Sequence, residues 1–410
     1  MDIRNILKLI TENSQPVNKK EPFSAKMQVM SLPQFVEKSE EEQEVDEAKL
    51  DAPARVIDGE DLESYLDRVI GTPVVDPKTG EVKKTPRGTE KYVSGKTKQD
   101  KFKLPYVHRS NVVPIVDETG SKYDLDTLRD MITKRPAKIL KQNEKMQHSD
   151  GTASVFYNIG LPALKGLAYD EENQNFVVID TCPGAGQCQV FCFAMKGGYV
   201  QWKGVSLSQS RLLNFLYNDP DGFMYKLGEE IASAYKRYNK KGKQTKLAIR
   251  WHDAGDFFST EYLDKAYELA RRFPNVDFYA YTKIASVAKS EKPDNFIINF
   301  SMGAKPSQER EIDFTREKNS RVVPEVLFKD LVERTKDGKL VYKDEQSLQT
   351  LKNRIAAKYS VDPDSIITYD QMMKIPKSEE RGKWNVIVKQ GDGDDSANRN
   401  DVLNTFLLMH

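Results

Sequence analysis

Between residues 176 and 301 the chain alternates short β-branched or aromatic runs with helical apolar stripes, and that alternation leaves few folds open. The runs are "FVVID" (176–180), "KLAIRW" (246–251), "DFYAYT" (277–282) and "FIINFS" (296–301). One stripe between them is Phe223, Leu227, Ile231 and Ala234. The other is Leu263, Ala266, Tyr267 and Ala270, opened by Ser259 or Thr260 as N-cap with Glu261 in the first turn. No such element buries its apolar face alone, and strands joined through helices pair in parallel. The reading is an α/β fold of parallel βα units. In such sheets the chemistry gathers in the loops that follow the C-terminal ends of strands. Those loops carry Cys182, Cys188 and Cys192 after the first run, and His252, Asp253, Gly255 and Asp256 after the second. Thr282 and Lys283 end the third, and Ser301 and Gly303 end the fourth. All are expected to share one rim.

The remainder of the chain is read as three flanking regions. Residues 1–62 hold a short amphipathic helix (Ile3, Ile6, Leu7 and Ile10 behind Asp2) and an acidic, apolar-poor disordered linker over 37–62. Residues 63–150 form a basic accessory region. From Pro77 to Arg109 it has ten Lys/Arg against three Asp/Glu, with Tyr92, Phe102 and Tyr106 interleaved, a pattern that grips a phosphate backbone and stacks on bases. The alternative for 77–109 is a solvated surface loop. Residues 151–310 are the metal-cluster domain, and 311–410 an α-rich C-terminal extension packing on it, with Trp384 and the closing "FLLMH" in core packing.

Charge restricts the partners. Lys plus Arg (63) balances Asp plus Glu (62), so any nucleic-acid surface must come from uneven distribution, with 77–109 as its place. No run of about 18 apolar residues is present and the N-terminus lacks a leader pattern, so a soluble cytoplasmic protein without membrane contact is expected.

Three familiar motifs fail on inspection. Gly95-Lys96-Thr97 has Glu90 where a phosphate-binding loop needs glycine, and "PGAGQC" reaches Cys188 without a third dinucleotide-binding glycine. The Asp392, Asp394 and Asp395 group has Ala397 and Leu403 where a calcium loop needs glycine and glutamate, so it reads as a turn or a polar site contact.

All three cysteines of the chain fall in "TCPGAGQCQVFCF", spaced C-x5-C-x3-C. An odd, clustered count points to metal or redox work rather than a disulfide framework. Three thiolates bind three irons of a [4Fe–4S] cluster and leave the fourth open, whereas a closed zinc site needs another ligand, for which His252 is the candidate. Buried structural thiols are the bland alternative.

The stretch "IDTCPGAGQCQVFCFAMKG", Arg211 and Asn214, "RWHDAGDFFSTEY" and "FYAYTK" together resemble the phage gene product 88 family over about residues 150–310, with an echo in "GDGDDSANRNDVLNTFLLMH". The same order of blocks resembles a divergent radical S-adenosylmethionine enzyme. That resemblance implies a partial (β/α) barrel, a [4Fe–4S] cluster on Cys182, Cys188 and Cys192, and reductive cleavage of S-adenosylmethionine to a 5′-deoxyadenosyl radical in the host cytoplasm. The family spacing C-x3-C-x2-C is longer here by two and one, while Phe191 keeps the aromatic before the last cysteine. Gly255 and Asp256 stand where that family holds the cofactor amine, and Thr282 would help Asp256 orient the cofactor. Arg211 or Arg250, with Asn214 beside them in the motif, would hold its carboxylate. Lys283 or His252 would serve a substrate proton or phosphate. The competing reading is a zinc-stabilised nucleic-acid-binding or protein-interaction protein built on Cys182, Cys188, Cys192 and His252.

Overall fold

The structure is a computed structural model that describes residues 72–73, 76–81, 92–93, 125–142, 154–192, 194, 203–240, 245–336, 338–378, 380–389 and 392–408. The helix expected over 2–12, the acidic linker 37–62 and most of the basic stretch 77–109 lie outside the described residues. Two compact units alternate along the sequence. One takes the chain to Leu140, Ile159–Ala232 and His252–Ala266; the other takes Lys141–Asn158, Ser233–Trp251 and Tyr267–His410.

The described strands run in chain order. β1 (Thr72–Pro73) and β2 (Tyr92–Val93) form a small antiparallel pair. β3 (Ser154–Ile159), β4 (Lys165–Asp170), β5 (Asn175–Asp180), β6 (Lys246–Trp251), β7 (Val276–Thr282), β8 (Phe296–Ser301) and β9 (Asn319–Val322) follow. Then come β10 (Val332–Arg334), β11 (Leu340–Tyr342), β12 (Ile366–Thr368), β13 (Trp384–Lys389) and β14 (Val402–Leu408).

The second unit is organised by an eight-stranded sheet in the order β12-β13-β14-β9-β8-β7-β6-β3. Pairing from β12 through to β6 is parallel throughout. The sheet is open, in keeping with a partial barrel. β6, β7 and β8 are the three runs read from sequence, and their near-continuous burial is what a sheet covered on both faces demands. On one face Trp251, Phe278 and Phe296 stack with ring centroids 5.8–6.0 Å apart. Phe278 and Phe296 are fully buried, each contributing about 1.5–3 kcal/mol. On the other, Ala248, Tyr279 and Ile297 pack with Phe156 and Ala397.

The C-terminal hundred residues do carry the long helix Glu345–Tyr359, capped by Asp344 through the Ser347 amide at 2.6 Å and ended by Ser360 at φ +55°. They also supply four strands of the sheet itself. β14, the last element, lies between β13 and β9 rather than at an edge. Trp384, Phe406 and Leu408 join the cores around these strands, as their sequence suggested.

The first unit corrects the placement of "FVVID". This run is β5, which pairs antiparallel with β4 from Asp170↔Asn175 to Lys165↔Asp180 and stands apart from the eight-stranded sheet. The physical reason is the link. Only residues 171–174 join β4 to β5, too few for a parallel crossover. Gln174 turns the corner at φ +52°, and Asp170 anchors it by accepting the Glu172 and Asn173 amides, both at 3.0 Å. β7 and β8 present Thr282, Lys283 and Ser301 at the same end, but the cysteine loop leaves from the hairpin.

Candidate functional site

The cysteine loop is held in a braid of three segments of the first unit: 159–164, 180–192 and 252–258. Thr181, fully buried just after β5, is its centre. Its amide donates to Leu164 O at 3.0 Å, its hydroxyl to Pro162 O at 2.7 Å, and its carbonyl accepts the Asp256 amide at 2.7 Å. Leu161 N donates to Ala254 O at 3.0 Å and Asp253 N to Ile159 O at 2.9 Å. Backbone closeness on this scale needs glycine. A Cβ on Gly255, at φ +85°, would lie 2.9 Å from Leu161 Cβ and 3.1 Å from Pro162 O.

Cys182 sits inside this braid. Its amide donates to Asp180 Oδ1 at 3.0 Å, and its Sγ accepts the Leu164 amide at 3.2 Å. That bond exists because Leu164 adopts φ +63°, an uncommon conformation for a leucine. Burial pushes the Cys182 thiol well up, the Asp256 charge adds to this, and the Leu164 amide pulls the other way; Cys188 and Asp180 raise it further. Raised in this way the thiol keeps its proton, and a metal bound there would have to displace that proton. Cys188 opens the single helical turn Cys188–Phe191 and Cys192 ends it, so the two are four positions apart, on one side of a turn. Cys192 packs against Ala163, Ala194 and Ala254, small residues that leave room around sulfur. No disulfide joins the three cysteines.

Asp256 is buried, with Oδ1 accepting the Phe257 amide at 2.8 Å. His252 is buried at φ +68°, its Nε2 2.7 Å from Tyr262 Oη and its ring 4.8 Å edge-on to Phe257. Among the described residues no three His, Cys, Asp or Glu side chains are gathered so as to hold a metal ion. The donor set of three reduced thiols fits a soft metal or an iron–sulfur cluster in kind. The loop presents these donors without assembling them.

The other sequence candidates have hydrogen-bond partners of their own. Arg211 Nε donates to Met131 O at 2.8 Å, tying its helix Lys203–Asn218 to the helix Leu125–Thr133. Asn214 Oδ1 accepts the Tyr169 amide at 2.8 Å and pins β4. In the second unit, Thr282 Oγ1 accepts the Ile284 amide, and Lys283 Nζ donates to Ser301 O, Ser301 Oγ and Met302 O at 2.8–3.0 Å. Arg250 pairs with Asp394 at 2.9 Å. Sequence reasoning missed the 160–164 segment and the Asp394 partnership. The Gly-Leu-Pro turn chemistry of "IGLPAL" was a usable signal for the first; for the second the sequence offered the Asp392, Asp394 and Asp395 group as a turn or a polar site contact, but nothing that pointed to Arg250 as its partner.

A family model described as Gene product 88 matches residues 133–364, a span that includes the whole braid. No curated protein and no solved structure matches the chain. No helix among the described residues is long and apolar enough to cross a membrane.

Proposed function

Because this chain belongs to the gene product 88 family of phage proteins, and because its thiols lie in a loop braced against two other segments of the first unit, we propose that it is an iron–sulfur protein with Cys182, Cys188 and Cys192 as the cluster ligands. Within that reading it is a radical S-adenosylmethionine-like enzyme. The observation that carries the proposal is the junction at Thr181, whose carbonyl holds the Asp256 amide at 2.7 Å and so seats a carboxylate beside Cys182. Three thiols match in number the ligands of a cluster with one open iron, whereas a closed zinc site needs a fourth side chain.

When bound, the cluster would supply an electron for reducing the cofactor sulfonium. The chain's own residues do the rest. The Leu164 amide, turned inward by its positive φ, steadies the Cys182 sulfur and lowers the cost of its negative charge. Asp256 would accept from the cofactor amine. The turn Cys188–Phe191 is only four residues long, so drawing Cys188 and Cys192 inward costs little helix. Burial of Thr181, His252 and Asp256 keeps water from the floor of the loop, while the three thiols themselves are half-buried.

The test is anaerobic purification, reconstitution with iron and sulfide, and visible and EPR spectra with and without S-adenosylmethionine. A brown protein whose reduced EPR signal changes on adding S-adenosylmethionine is the expected result. A colourless protein with one zinc per chain overturns the cluster. A brown protein whose signal ignores S-adenosylmethionine overturns the radical mechanism alone.

A further inference from the structure

The second unit holds a separate polar cluster on its sheet. Arg250 in β6 and Tyr279 in β7 are register partners, and Tyr281 follows on the same face. All three donate to one carboxylate. Arg250 Nη1 and Tyr279 Oη reach Asp394 Oδ2 at 2.9 and 3.1 Å, and Tyr281 Oη reaches Oδ1 at 2.6 Å. The guanidinium also lies 4.9 Å over the Tyr281 ring. A cation and two phenols that fill both oxygens of a carboxylate make a receptor for that group, at the strand ends where parallel sheets bind ligands.

Four features separate this from an ordinary ion pair. Arg250, Tyr279 and Tyr281 fall inside the family match 133–364, whereas Asp394 lies beyond its end. Asp394 precedes the 3-10 turn Asp395–Asn398 but makes no capping bond to it, so its own turn does not need the carboxylate. The chain after Asp394 is anchored independently. Lys318 Nζ donates to Ser396 O, Arg399 O and Val402 O at 2.7–3.0 Å, and Asn299 Nδ2 donates to Ala397 O at 3.1 Å. The pair also remains open to solvent, with 19% of the Arg250 and 26% of the Asp394 side chain exposed.

We propose that Arg250, Tyr279 and Tyr281 form a binding site for the carboxylate of a small ligand, and that the chain fills it with its own Asp394 as an internal competitor. The inference goes beyond the iron–sulfur reading and stands without it, because its test uses metal-free protein. Wild type, Asp394→Gly, Asp394→Asn and Asp394→Gly/Arg250→Gln are titrated with ¹³C-acetate at constant ionic strength, following acetate line broadening and the melting temperature. Removing the internal carboxylate should strengthen saturable acetate binding at least tenfold over wild type, and adding Arg250→Gln should abolish the gain. Asp394→Asn, which removes the charge but keeps the side-chain volume, should show a smaller gain of the same sign and serves if Asp394→Gly fails to fold. Equal binding by wild type and both Asp394 variants, no binding by either variant, or binding that survives Arg250→Gln overturns the proposal.

Discussion

The braid around Cys182 and the C-terminal segment 392–401 are both irregular and both closely packed, yet they are held by opposite means. In the braid, backbone amides and carbonyls do the holding: Asp256 to Thr181, Leu161 to Ala254, Asp253 to Ile159. Near its end, segment 392–401 relies on charged side chains. Arg399 forks onto Asp401 at 2.6 and 2.9 Å and also donates to the carbonyls of Met372 and Ile375, while Lys377 reaches Asn398 O at 2.9 Å. A loop braced by its backbone keeps its side chains for chemistry. A loop braced by its side chains has spent them, which is why the one carboxylate used on a distant strand pair, Asp394, stands out.

The comparison can be broken at several depths. The largest effect is expected from ending the chain at Asp364, where the family match stops. That deletion removes β12, β13 and β14 and strips β9 of a parallel neighbour in mid-sheet. Hydrogen exchange should then show β6 to β9 unprotected, and persistent protection would mean the C-terminal strands are an accessory.

Next is Asp401→Asn, which leaves the Arg399 guanidinium buried without its counter-charge; breaking such a pair costs about 3–5 kcal/mol. Urea unfolding at pH 7 measures it. The pH dependence has a definite sign. Burial opposes charge on Asp401, but the Arg399 bonds and the Ser378 amide outweigh it and hold the carboxyl below its ordinary value. Its contribution is therefore present above the unfolded-state value near 4 and lost as pH falls through the lower folded value. Wild type should lose stability on acidification below about pH 4 more steeply than Asp401→Asn.

A smaller effect is expected from Gly255→Ala. Forcing a side chain onto φ +85° costs about 1–3 kcal/mol before the contact with Leu161 is counted. Because the damage is to backbone, Cys182 should become more reactive to iodoacetamide in this variant while Asp401→Asn leaves that rate unchanged. Equal rates in the two would erase the distinction between the regions. The smallest is Thr181→Val, which removes the hydroxyl bond to Pro162 at the cost of about 1 kcal/mol. Its melting temperature should fall slightly while β4 and β5 keep their exchange protection.

Local pattern carried much of this molecule. Strands 246–251, 277–282 and 296–301 were legible because buried parallel strands read as continuous β-branched and aromatic runs. The helix Thr260–Arg272 was legible because its apolar residues recur at helical spacing behind a polar start. β3 and β4 were not. "SVFYNI" and "KGLAYD" mix polar residues or glycine into their runs, and the burial that makes them strands comes from partners elsewhere. The cysteine loop was visible as chemistry but was attached to the wrong kind of strand, because periodicity says that a segment is extended and not what it pairs with.

The amino-acid sequence by itself determined the α/β class, three adjacent strands of the sheet and the grouping of every thiol in one loop. Only the tertiary structure decided that β5 turns back on β4, that β14 enters the sheet between β9 and β13, and that Asp394 meets an arginine 144 residues earlier. The reason is the range of the forces. Propensity and amphipathic spacing act over a few residues and are written along the chain, whereas strand order and ion pairing are set by which surfaces remain to be covered once those local elements exist.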